Sequence, residues 1–120
     1  MTTLPYGRFR AVSSPELLDF IERTFVLPAP EGARDQLRQE ALDELTAAEL
    51  ELVAGDQVVS RVGEQVFVQV QLPSGRTQAA TFTFEKAPGV VVRIERQGPD
   101  LLVAFQPGKP AIEFRRIDGR

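Results

Sequence analysis

The sequence predicts one α+β domain, in which two or three N-terminal helices pack on one face of a curved antiparallel β-meander of five to six strands. From Gln57 onward, segments of strand length are separated at near-regular intervals by Gly63, Pro73-Ser74-Gly75, Pro88-Gly89, Gly98-Pro99-Asp100 and Pro107-Gly108-Lys109-Pro110, the punctuation of an antiparallel meander. Ahead of that ladder, apolar residues recur at helical spacing behind a cap signal. At 120 residues and 42% hydrophobic, the chain is long enough for one ordinary core and needs no cofactor to hold it. The expected division is an arm over 1–13, a helical part over 14–55 and a sheet over 56–117, all within a single domain spanning 1–120.

Ser14, Pro15 and Glu16 supply an N-cap, a first-turn proline and an acid suited to the helix dipole, and Leu17, Leu18, Ile21 and Phe25 then repeat at helical spacing. This predicts a helix over 15–25, with Asp19 and Arg23 as a solvated i, i+4 pair. Leu27-Pro28-Ala29-Pro30 ends it as an extended connector. A second helix is expected to begin between Glu31 and Ala33, with Ala33, Leu37, Ala41, Leu42 and Leu45 as its apolar stripe. Thr46 and Glu49 have capping-box spacing, which predicts a third short helix over 47–54 stopped by Gly55. Glu40, Asp43 and Glu44 cluster on the second helix and read as a solvated face rather than a cation site.

In the sheet part, a weaker strand over 57–62 precedes a cleanly alternating one. Val66, Val68, Val70 and Leu72 face one way and Gln65, Gln69 and Gln71 the other, with Phe67 the apolar exception on the polar side. Ala80, Phe82 and Phe84 continue the apolar face, followed by Val90, Val92 and Ile94, then Leu101, Val103 and Phe105, then Ile112 and Phe114. The helical stripe is the simplest cover for that face. Leu17, Ile21, Leu37, Leu45, Val68, Phe82, Phe84, Val92 and Phe105 are therefore expected to form one core.

The chain contains no Cys, His, Trp or Asn. Thiolate nucleophiles, histidine relays, disulfides and the usual zinc and haem ligands are thereby excluded. Neither a P-loop nor a Gly-x-Gly-x-x-Gly run is present. No apolar run approaches the roughly 18 residues of a membrane span, and no signal-peptide core is seen, so no membrane partner and a cytoplasmic location are expected. The net charge of −3 divides unevenly: residues 1–56 hold 5 Arg and 11 Asp/Glu, a net of −6, whereas residues 57–120 hold 9 Arg/Lys and 6 Asp/Glu, a net of +3. Such halves either neutralise each other across the fold or leave a basic sheet for an acidic partner; the small excess favours neutralisation and makes nucleic acid an unlikely partner.

The stretch 55–86, with Gly55-Asp56-Gln57, the run from Gly63 to Leu72, Pro73-Ser74-Gly75-Arg76 and Ala80-Thr81-Phe82-Thr83-Phe84-Glu85-Lys86, resembles the hairpin of small NTF2-like and cystatin-like domains. The resemblance implies helices packed into the concave face of a curved sheet. It also implies that an apolar pocket can be enclosed, as in isomerases or dehydratases that use buried acids, Tyr or His. Here the single tyrosine is Tyr6, in the N-terminal segment, and Asp19, Asp43 and Glu95 all fall on polar faces. Lys86 and Lys109 lie beside turns, and only unforeseen loop geometry would bury Asp56 or Asp100.

The expected function is a non-enzymatic protein-interaction or assembly module. It would use the polar face or edge of its sheet, with Phe67, Arg93, Arg115 and Arg116 as contact residues and another protein, or a second copy as a homodimer, as partner. No catalytic residue, metal or cofactor is expected. The alternative is an NTF2-like pocket protein, either a small-ligand carrier or an isomerase- or dehydratase-type enzyme. A weaker one is nucleic-acid binding through the basic half.

Overall fold

The computed structural model describes residues 7–118. Its eight strands are β1 (Gly7–Val12), β2 (Ala48–Val53), β3 (Gln57–Val62), β4 (Gln65–Gln71), β5 (Thr81–Ala87), β6 (Val90–Gly98), β7 (Leu101–Phe105) and β8 (Ile112–Arg116). Two α-helices, α1 (Pro15–Ile21) and α2 (Arg34–Ala47), lie between β1 and β2. All strand pairs are antiparallel, and the sheet runs β4-β3-β2-β1-β8-β7-β6-β5.

This corrects the expected architecture. There are eight strands rather than five or six, and the cover for the apolar face is the sheet itself. One buried cluster takes residues from β1 (Phe9), β2 (Leu50, Leu52), β3 (Val58), β5 (Phe82, Phe84), β6 (Val92, Ile94), β7 (Leu102) and β8 (Phe114), with Val68 and Val70 of β4 packed against it. The sheet has curled into a nearly closed barrel whose seam, without a hydrogen-bonded ladder, lies between β4 and β5. Strand twist produces the curl, and the inward apolar residues on every strand drive its closure.

Two strands were hidden in the segments assigned to the arm and to helix. The arm contains β1, a central strand in which Phe9 and Ala11 are buried while Arg8 and Arg10 stay outside. The expected third helix over 47–54 is β2: Leu50 and Leu52 face inward, Glu49 and Glu51 outward, a period of two that the helix-forming acids disguise. The capping box does not form, because the Thr46 hydroxyl donates to the Asp43 carbonyl and Glu49 binds Arg8 and Arg10.

The first helix starts where expected but is α-helical only to Ile21. Of its expected stripe, Leu17 and Ile21 are buried, apart from the barrel's core cluster, whereas Leu18 and Phe25 are exposed. Ser14 Oγ accepts from the Leu17 amide at 3.2 Å, α1 runs on into a π-helical turn at Glu22–Val26, and Arg23 pairs with Asp19 at 2.8 Å. A 3-10 turn at Glu31–Ala33 leads into α2. Arg38 joins the two helices by donating two hydrogen bonds to Glu22, and this guanidinium holds the Glu22 carboxyl below its ordinary range. No residue of α2 is fully buried, so Leu37 is not a core residue and Leu45 only packs against the core's margin.

Strand phase differs from expectation at two places. In β4 the register slips between Ser60 and Arg61 of β3, leaving Phe67 as a bulged residue. Val68, Val70 and Leu72 keep the inward phase, but Val66 turns out to solvent. In β7, Leu102 and Ala104 face the core instead of Leu101, Val103 and Phe105. A wholly apolar strand has no polar alternate to report its phase, and Phe105 is instead covered on the outer face by the Arg93 guanidinium, 4.5 Å from its ring centre.

Candidate ligand-binding pocket

Antiparallel order puts the C-terminal ends of β1, β3, β5 and β7 at one end of the barrel, together with the starts of β2, β4, β6 and β8. The two ends differ in their filling. At the far end from the helices, Phe9, Leu52, Val58, Phe82, Ile94 and Leu102 are each at most 2% exposed. At the helical end a cavity of about 250 Å³ opens, lined by the apolar groups of Ala48, Leu50, Val62, Phe67, Phe84, Val92, Ala104, Ile112 and Phe114, with Ser60, Gln106, Glu44 and Lys86 as polar members. Glu49 and Arg61 also border it, but their charges are committed to Arg8 and Arg10, and to Glu51.

The packed end is closed by a polar clasp across the seam. Gly55 and Asp56 both have positive φ in the β2–β3 turn, a conformation Asp tolerates better than most residues. The Asp56 carboxylate accepts from the Gly75 amide at 2.8 Å, the Thr77 amide at 3.1 Å and the Thr77 hydroxyl at 2.7 Å. Thr77 lies in the β4–β5 connection, and its carbonyl accepts from Arg96 of β6 at 2.8 Å. The clasp thus links the β2–β3 turn to β6 through the segment that spans the seam. The hydrogen bond from the Thr77 hydroxyl, aided by the two amides, holds the Asp56 carboxyl below its ordinary range.

At the open end the seam is bordered by two bulged residues. Phe67 is one; the other is Lys86, because Glu85 pairs with Val91 while Ala87 pairs with Val90. Lys86 follows Phe82 and Phe84 on the inward phase of β5, so its stem enters the cavity mouth. Lys86 is exposed, but partial desolvation against the cavity wall lowers its pKa, nearby Lys109 lowers it further, and Glu44 of α2 opposes both. Lys86 makes no hydrogen bond or ion pair among the described residues.

The residues singled out from the sequence are dispersed. Phe67 borders the pocket and is 53% exposed. Arg93 and Arg115 stand on the outer face, paired with Glu95 at 3.3 Å and Glu113 at 3.6 Å. Arg116 is largely buried, 4.7 Å above the Phe9 ring, and paired with Asp100 and Asp118. Sequence reasoning missed Lys86, although counting in twos from Phe82 and Phe84 would have reached it. Asp56 is buried, the loop geometry left open for it; Asp100 is exposed. Tyr6 lies outside the described residues.

Among the described residues there is no group of three or more acidic or metal-ligating side chains placed to hold a metal ion, and no helix is long and apolar enough to cross a membrane. No protein-family model, curated protein or solved structure matches this chain.

Proposed function

We propose that the protein is a non-enzymatic binding module that takes up a small, mainly apolar molecule in the open end of its barrel. The contrast between the two ends carries this reading. An eight-stranded barrel is just narrow enough to be filled by its own side chains, or wide enough to hold one small ligand. This chain fills one half with Phe9, Phe82 and Leu52 and leaves the other lined by apolar groups around about 250 Å³. Ligand pockets usually measure roughly 300–1,000 Å³, so a small occupant is favoured.

The non-enzymatic part is supported by the state of the buried acids. Burial pushes the Glu49 carboxyl up, but hydrogen bonds from Arg8 and Arg10 more than offset this and leave it lowered; Asp56 is lowered as well. Neither is poised as a base near neutral pH.

Calorimetric titration with 1-octanol, a neutral amphiphile of suitable size, tests the reading. One saturable site is expected, with affinity reduced at least about tenfold in Ser60→Trp, whose indole would occupy the cavity while its edge stays near solvent. Absence of saturable binding to the folded wild type would sink it.

Protein contact through a sheet edge is the second reading. The observation favouring it is that β4, from Gln65 to Gln71, has no charge and no proline, the devices that usually protect an edge.

A further inference from the structure

We infer that the pocket selects amphipathic monoanions, with a carboxylate headgroup held by Lys86 and a short apolar body lying against Phe67, Phe84 and Val92. This rests on the reading of the open end as a ligand site and specifies its ligand class.

The argument begins with the placement of the charge. A lysine that follows two core phenylalanines in phase is an unusual third member of an inward row, and it stands as the bulged residue of β5 at the rim of the cavity. Its stem extends the apolar lining while its ammonium waits at the mouth without a partner of its own among the described residues. The other cation bordering the cavity, Arg61, is neutralised by Glu51 at 2.9 Å. Around the ammonium stand one further cation, Lys109, and one acid, Glu44. Two lysines against one carboxylate leave a single positive charge, which complements a monoanion and disfavours a cationic amphiphile. An ammonium is also a compact point charge that can donate to a single carboxylate oxygen, and one net positive charge matches a carboxylate better than a doubly charged phosphate.

Opposite the lysine, the bulged Phe67 supplies an aromatic surface across the seam, so head and body of such a ligand would meet complementary walls at once. The cavity's modest volume limits the body to a short chain or one ring.

The test is calorimetric titration of octanoate, 1-octanol and octylammonium against wild type, Lys86→Met, Lys86→Gln and Lys86→Arg at pH 7. Wild type should bind octanoate at least about tenfold more tightly than octanol, about 1.4 kcal/mol, and octylammonium most weakly. The octanoate-to-octanol ratio should fall to near one in Lys86→Met and Lys86→Gln and persist in Lys86→Arg. Octanol binding with no carboxylate preference, or a preference unchanged without the ammonium, overturns this inference but leaves the pocket reading intact. Failure of both octanol and octanoate to bind wild type overturns both.

Discussion

Replacing Phe82 by alanine is expected to cost about 3 to 5 kcal/mol of unfolding free energy. Its ring is 2% exposed, pairs across the ladder with Ile94, and belongs to the cluster that unites both sides of the seam. Loss of the ring removes burial and leaves a void that a curled sheet, hydrogen-bonded along its length, cannot collapse to fill. Phe105→Ala makes the contrasting case, because Phe105 lies outside the barrel beneath Arg93; about 1 to 2 kcal/mol is expected there. Urea denaturation of both variants measures the difference. Equal losses, or a loss below about 1 kcal/mol for Phe82, would place β5 or β7 in the opposite phase.

The second large effect is expected at Asp56. Removing its carboxylate in Asp56→Ala leaves the Gly75 and Thr77 amides and the Thr77 hydroxyl without their acceptor, and puts alanine at a φ of 63° that it adopts poorly. A fall in Tm on the order of 5 to 10 °C is expected, and a smaller one for Asp56→Asn, which tolerates the backbone but offers only one acceptor oxygen. The pH dependence follows from the lowered carboxyl pKa. A group depressed in the folded state contributes fully above its unfolded value, about 3.9, and its contribution is lost as pH falls through the folded value. The Tm gap between wild type and Asp56→Asn should therefore be constant from about pH 5 to 7 and close below about pH 4. A gap that widens in acid would mean the carboxyl is not held ionised by the clasp.

Much of the fold was legible because local chemistry and tertiary structure agree. Ser14 caps α1 as its type and position foretell, and Gly63, Gly75, Gly89 and Gly108 all take the positive φ that their turns require. What could not be read depends on long-range pairing. Nothing local marks residues 7–12 as a central strand, since Phe9 and Ala11 gain their partners from residues some forty to a hundred positions away. In β2, acids that favour helix sit on the outer face because Arg8, Arg10 and Arg61 receive them; of these ion pairs only Arg61 with Glu51 joins the two oppositely charged halves of the chain. Phe67 broke the alternation of β4 for a physical reason: it is the bulged residue. Lys86 looked like a turn lysine because the turn is adjacent, and only closure of the barrel places it at a cavity.

The central claim is that one end of this barrel is packed shut and the other receives a ligand. Titrating 1-octanol into isotopically labelled protein, followed by amide NMR, tests it most directly. Saturable shifts are expected at Leu50, Ser60, Phe84, Val92 and Ala104 around the cavity, with Phe9, Leu52, Ile94 and Leu102 at the packed end unmoved. Shifts spread evenly over both ends, or confined to Gln65–Gln71 and dependent on protein concentration rather than on octanol, would contradict the pocket, and the latter pattern would favour pairing through the β4 edge.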